Sequence, residues 1–158
     1  MARNNVRDTW TPEGKRFMQN LKELSKLEVK IGFQGGKDYY EEDGKHVDVL
    51  DVAMFNELGT VNIPSRPFMR KSVDENQAKI NAFLEVKRNE LANGKSAQAV
   101  LNEIGVFMKG LVQEKIVSGS FVANAPSTVE KKGSSRPLVD TGLMRQSVNF
   151  EVKRKGGR

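Results

Sequence analysis

Few residues in this chain have the type and spacing that chemistry requires. His46 is the only histidine, and acid–base or triad catalysis would need it beside a nucleophile and an orienting carboxylate. It directly precedes an apolar, helix-length stretch, where a histidine commonly serves as a polar boundary. A small hydrolase built on His46 is therefore the third of three functional classes, and retained activity in His46→Ala would remove its general base. Tyr39-Tyr40-Glu41-Glu42-Asp43 is the one local acidic cluster. It makes a poor divalent-metal site, because adjacent residues on a strand point to opposite faces. The run from Lys37 to His46 reads as a mobile surface loop, with Asp43-Gly44 suited to a tight hairpin turn. Asp140-Thr141-Gly142 would serve a two-carboxylate peptidase only if two such loops shared a proton in an all-β fold. Here there is one, flanked by helical pattern. Glycines 32, 35 and 36 follow an apolar run but lack the spacing of a phosphate-binding loop. The absence of cysteine excludes disulfides, thiolate metal sites and a cysteine nucleophile. No metal or cofactor is expected.

One polar side chain is placed differently. Arg66 stands in Pro64-Ser65-Arg66-Pro67, and the residues before each proline are pushed towards extended backbone. The loop should be stiff, with little freedom to lose when something docks on it. A guanidinium leaving it in a fixed direction can form a bidentate, charge-assisted pair with a carboxylate, which lysine cannot reproduce.

The elements that position this loop follow from periodicity. Val47, Leu50, Met54 and Leu58 fall on one stripe of a helical period, and Gly59 supplies the left-handed residue that ends it. Pro67 suits the first turn of another helix. Ser72-Val73-Asp74-Glu75 has the spacing of a capping box, from which Val73, Ile80, Phe83, Leu84 and Leu91 give a face as far as Asn93-Gly94. Ser96 caps the next helix, with Val100, Leu101, Ile104, Phe107, Met108, Leu111 and Val112 along its stripe to about Val117. Short connection implies an antiparallel pair. Lys87-Arg88 is a candidate nucleic-acid contact, but Glu85 and Glu90 flank it and favour a solvated charged face. Upstream, Thr11-Pro12 caps an amphipathic helix over 12–25, with Phe17, Leu21 and Leu24 inward and Trp10 over its start. Leu27, Val29, Ile31 and Phe33 alternate with polar residues and glycine, as do Val148, Phe150 and Val152, giving two strands. Residues 120–137 are rich in loop formers, with a short helix over 126–132. So long a connection becomes reasonable if it orders against a neighbouring subunit. Asp140 can cap a one-turn helix starting at Thr141. The expected fold is α+β: a small antiparallel sheet of 27–33 and 147–153 packed against a long antiparallel helix pair, with an N-terminal amphipathic helix.

The stretch Asn56-Glu57-Leu58-Gly59-Thr60, followed by Ile63-Pro64-Ser65-Arg66-Pro67-Phe68-Met69-Arg70, resembles the tail-completion and head–tail joining proteins of tailed bacteriophages. Pro137-Leu138-Val139-Asp140-Thr141-Gly142-Leu143-Met144-Arg145 is similar to a second motif of that family, with Met144 where leucine is commoner. The motifs lie roughly 70 residues apart, in the family's order. The resemblance implies a non-enzymatic virion-assembly protein at the head–tail junction, forming a ring, typically sixfold, that continues the DNA channel. Its implied partners are copies of itself, the head connector or adaptor, and tail tube or tail terminator proteins. Ring closure demands a heterologous interface. Asn56, Glu57, Thr60, Ile63, Arg66, Arg70, Asp140, Thr141 and Arg145 are the subunit-interface candidates. By motif, the carboxylate for Arg66 is Glu57 or Asp140, unless it lies on the next subunit.

Composition sets the remaining bounds. At 158 residues one domain is expected over 1–153, with 154–158 a flexible basic tail. No run approaches a membrane span, and the N-terminus lacks the apolar core of a secretory leader, so cytoplasmic synthesis is expected. The net charge of +6 is uneven. Residues 1–30 hold seven basic and four acidic side chains, 31–119 eleven and thirteen, and 120–158 eight and three. The basic ends keep a nucleic-acid-binding module open as the second class. The helices leave no large apolar stripe unpaired on this reading, so the isolated protein is expected to be a monomer or weak oligomer.

Overall fold

The computed structural model describes residues 10–36, 39–42, 44–133, 135–139 and 141–156. Thr11 Oγ1 accepts from Gly14 N at 3.2 Å and opens α1, Pro12–Lys26. Trp10 lies against Gly14 at the helix start, half exposed. The chain passes directly into β1, Leu27–Gly32. β2, Tyr39–Glu42, and β3, Lys45–Asp48, form an antiparallel hairpin turning at Gly44, so 39–42 and 45–46 of the expected mobile loop are paired backbone. Asp43, which completes the Asp-Gly turn and the acidic cluster, lies outside the described residues.

Asp48 ends the hairpin and caps α2, Val49–Leu58, its Oδ1 accepting from Leu50 N at 2.8 Å. The long helix expected after Pro67 is two helices: α3, Phe68–Asp74, and α4, Gln77–Ala92. The capping box does not form. Ser72 is buried inside α3, its Oγ donating to Met69 O at 2.7 Å, while Glu75 turns out to pair with Lys115. Asn76 fixes the break by donating from Nδ2 to Ser72 O at 2.9 Å. α5, Ala97–Ser118, is capped by Ser96 as expected, with Ala99 N donating to its Oγ at 3.2 Å. The short α6, Pro126–Lys132, and α7, Leu143–Ser147, precede β4, Asn149–Arg154.

The architecture is α+β. β1 and β4 pair antiparallel, Leu27 opposite Arg154 through Gly32 opposite Asn149, and this two-stranded sheet lies against α5. The strand extends one residue beyond the expected domain boundary. Arg154 is in the ladder and Lys155 N donates to Lys26 O at 2.8 Å, so the basic tail begins later than position 154. α5 spans two cores. Near its start, Val100 and Ala97 meet Leu91 with Leu21, Leu24 and Leu27. Near its end, Val112 and Ile116 close around Phe68, Met144, Val148, Val49 and Ala53. Gly105 lies between them, where a Cβ would overlap the Phe150 ring.

α2 presents a different face from the one its periodicity suggests. Val49 and Ala53 are inward, while Leu50, Met54 and Leu58 are 39%, 45% and 65% exposed. Val49, Leu50, Val52, Ala53, Met54, Phe55 and Leu58 put apolar residues on every side, so period alone cannot choose the buried one. An unpaired apolar stripe therefore exists, contrary to the sequence expectation. Val73 and Leu84, placed on the inward face of the long helix, are also exposed at 36% and 40%.

Candidate functional site

Gly59 ends α2 at φ +79°, and a Cβ there would lie 2.9 Å from Ser65 N, so neither the conformation nor the space admits another residue. The chain folds back on the helix that it leaves. Arg66 N donates to Asn56 O at 2.6 Å, and Ser65 Oγ donates to Glu57 O at 2.9 Å. Thr60 stiffens the turn: its N donates to Ile63 O, and its Oγ1 accepts from Asn62 N at 3.3 Å and Ile63 N at 3.0 Å. Glu57 reaches across it to the start of α3, where Oε2 accepts from Met69 N at 2.8 Å and Oε1 from Arg70 N at 3.2 Å. A carboxylate suits the unpaired N–H groups of a helix start, and Pro67 offers no cap of its own. Arg70 Nε adds a 3.3 Å contact to the same oxygen from an exposed side chain.

Arg66 is only 6% exposed. Its Nε donates to Val122 O at 2.8 Å and one terminal nitrogen to Asn56 Oδ1 at 2.8 Å. The other reaches Ala123 O and Asn124 Oδ1, both at 3.2 Å. The guanidinium thus grips the connection after α5 and faces inward. The expected carboxylate is absent from this set: Glu57 serves α3, and Asp140 lies outside the described residues. Burial pushes the Arg66 pKa down from the ordinary guanidinium value, and four neutral acceptors compensate the desolvated charge. Asn56 is used at both ends, its Nδ2 donating to Val52 O at 2.8 Å. The long connection therefore orders against its own chain through Arg66, with Phe121 packed on the core and Lys71 5.6 Å from its ring centre.

The two quoted motifs meet at a cleft of about 300 Å³. Val52 and Phe55 of α2, Ile63 and Pro64 of the loop, and Thr128, Leu138 and Met144 of the later chain line it. Leu138 holds φ +63°, a left-handed conformation that a leucine adopts only under constraint. Among the remaining interface candidates, Thr141 is exposed and accepts from Leu143 N at 3.3 Å. Arg145 is exposed on α7, and its carbonyl accepts from Gln113 Nε2 at 3.0 Å. Ile63 is half buried at the cleft. His46 lies on β3, exposed, opposite Glu41 in the hairpin register. Sequence reasoning missed Asn124, the carbonyls of Val122 and Ala123, and the strained Leu138. Backbone acceptors and a left-handed leucine leave no mark in residue order.

A second concentration of charge ties α4 to α5. Lys87 Nζ is 2.9 Å from Glu90 and 2.5 Å from Glu103, and stands 5.0 Å from the centre of the Phe83 ring. Lys95 meets the same carboxylates at 2.7 and 2.5 Å. Hydrogen bonds from Lys87 and then Lys95 hold the Glu103 pKa down to about 2. Those from Glu103 and then Glu90 raise Lys87 and Lys95. Lys87 is thus buried in a structural network rather than on the solvated face expected for it, whereas Arg88 is exposed and pairs with Glu85. Among the described residues, no group of His, Asp and Glu side chains is placed to hold a metal ion. No helix among them is long and apolar enough to cross a membrane.

Comparison of the chain with protein-family models, with curated proteins and with solved structures finds no match.

Proposed function

We propose that this protein is a structural subunit of a tailed bacteriophage particle, or of a phage-like one. In this reading it forms a ring at the head–tail junction that joins tail to head and continues the DNA channel. The observation that carries the reading is the convergence of the two motifs, 56–70 and 137–145, on one cleft built around the buried Arg66. The resemblance rests on those motifs, and their polar groups act to set backbone: Asn56 and Arg66 anchor the later connection, Glu57 starts α3, and Thr60 stiffens the loop. Such a scaffold presents a fixed surface, which suits assembly on preformed neighbours such as the head connector and tail tube. This use of the motif residues supports a role in the particle rather than in catalysis. The test is genetic and biochemical. Infected cells lacking the protein should accumulate separate DNA-filled heads and finished tails, and purified protein should join them in extract. Joined particles without it would overturn the reading.

A contact with DNA belongs to the same proposal and is favoured by a specific observation. Lys155 N closes onto Lys26 O, bringing the basic end of α1 together with Arg154 and Lys155. If that end meets phosphates, affinity for duplex DNA should fall steeply with salt, by about 0.9 in log–log slope per phosphate contacted. A flat dependence would exclude it, leaving the ring reading intact.

A further inference from the structure

α2 carries apolar residues on every side, interrupted by Asp51, Asn56 and Glu57, yet only the side of Val49 and Ala53 is buried. Leu50, Met54 and Leu58 form a continuous exposed line, and Val61, fully exposed at the tip of the following turn, extends it. Isolated exposed apolar residues are ordinary, but a contiguous row along one side of a helix marks a surface that is covered in use. The turn carrying Val61 is braced by the Thr60 bonds to Asn62 and Ile63. Ile63 lines the cleft while Val61 points to solvent, so this rigid turn cannot bring Val61 into its own cleft.

We propose that this face is a self-association surface, in which Leu58 and Val61 of one copy enter the cleft of a second copy. Three observations select a second copy. The ridge is apolar and convex, the cleft is concave with apolar walls from Val52, Phe55, Ile63, Leu138 and Met144 among its polar groups, and both lie on the same molecule. The charges are complementary: residues 47–65 carry three acidic and no basic side chains, whereas 124–145 carry four basic and two acidic. Asp51 on α2 and Arg145 on α7 are both exposed, and neither makes an ion pair within the described residues. Ridge against cleft is a heterologous contact, which generates closed rings or open filaments rather than two-fold dimers. The contact deepens the ring reading above, and rests on it for its purpose alone.

The chain has no cysteine, so introduced thiols report without background. Leu58→Cys and Thr128→Cys proteins, mixed under mild oxidation, should form the mixed disulfide about tenfold faster than either variant alone. Preferential Leu58→Cys self-crosslinking would contradict the head-to-tail geometry. No enrichment over an exposed α1 control, Gln19→Cys, would overturn self-association through this face. Leu58→Asp, at an exposed position, should leave the melting temperature unchanged and weaken association in sedimentation by about tenfold or more. Unchanged association would likewise refute the contact. Both readouts use purified protein. Thiol capture with no head–tail joining would defeat the proposed function alone, and joining without capture would defeat only this contact.

Discussion

Arg66 shows what a single residue does here and how it can be tested. Its four hydrogen bonds join Asn56, the carbonyls of Val122 and Ala123, and Asn124. Arg66→Ala would leave these part-buried acceptors without a donor, and because Val122 and Ala123 are exposed the cost falls mainly on Asn56 and Asn124. Urea unfolding should show a loss of about 1–3 kcal/mol, the range for leaving a buried hydrogen-bonding group without its partner, since no opposite charge is left unpaired. Arg66→Lys should recover little, because one ammonium cannot span acceptors arranged about a planar fork. A loss within about 0.5 kcal/mol, as for an ordinary surface change, would mean that the guanidinium does not anchor the connection. Residue order showed that this arginine was special, through the prolines around it. It could not show the partners, because two are main-chain carbonyls more than 50 positions away.

At the scale of elements, the sequence was most legible where one rule acted alone. The Thr11 and Ser96 caps, the α1 stripe and the alternation of Val148, Phe150 and Val152 all produced elements within two residues of expectation. It misled where two rules competed. Ser72-x-x-Glu75 fits a capping box, but Ser72 lies inside a helix already started by Glu57, so the signal marks a break instead. Gly105 gave no signal at all, although its bare Cα admits the Phe150 ring. Gly105→Ala should destabilise by about 1–3 kcal/mol through overpacking, against the small gain that alanine brings to an open helix site. A stabilised variant would show that α5 and β4 can part without cost. The network between α4 and α5 has a pH signature. Glu103 titrates near 2, below the ordinary carboxylate value of 4.5, so its contribution is present above about 4.5 and is lost as pH falls through about 2. Melting temperature should therefore fall less steeply over that acid window in Glu103→Gln than in the parent. Identical slopes would place the acid sensitivity elsewhere.

For the whole molecule, the α+β class and the antiparallel β1–β4 sheet were readable, because a two-residue and a 3.6-residue period rarely counterfeit each other over full elements. The site was readable only as two separate motifs. Their meeting at one cleft depends on α5, which carries the chain between its two cores before the connection turns back to Arg66. The chain's end is similarly a matter of closure. Deleting Arg154–Arg158 removes the last ladder position and the Lys155–Lys26 bond, and should lower the melting temperature by about 2–4 °C, as loss of roughly 1 kcal/mol does for a chain this size. An unchanged value would restore a tail that is idle from position 154.

Whether this chain is a ring subunit between head and tail can be read from the assembled particle imaged at side-chain resolution. The expected image is a ring at the junction into which this fold fits, with its cleft and its α2 ridge at contacts with neighbouring subunits. A junction fully accounted for by other chains, with this protein absent from purified particles, would contradict it.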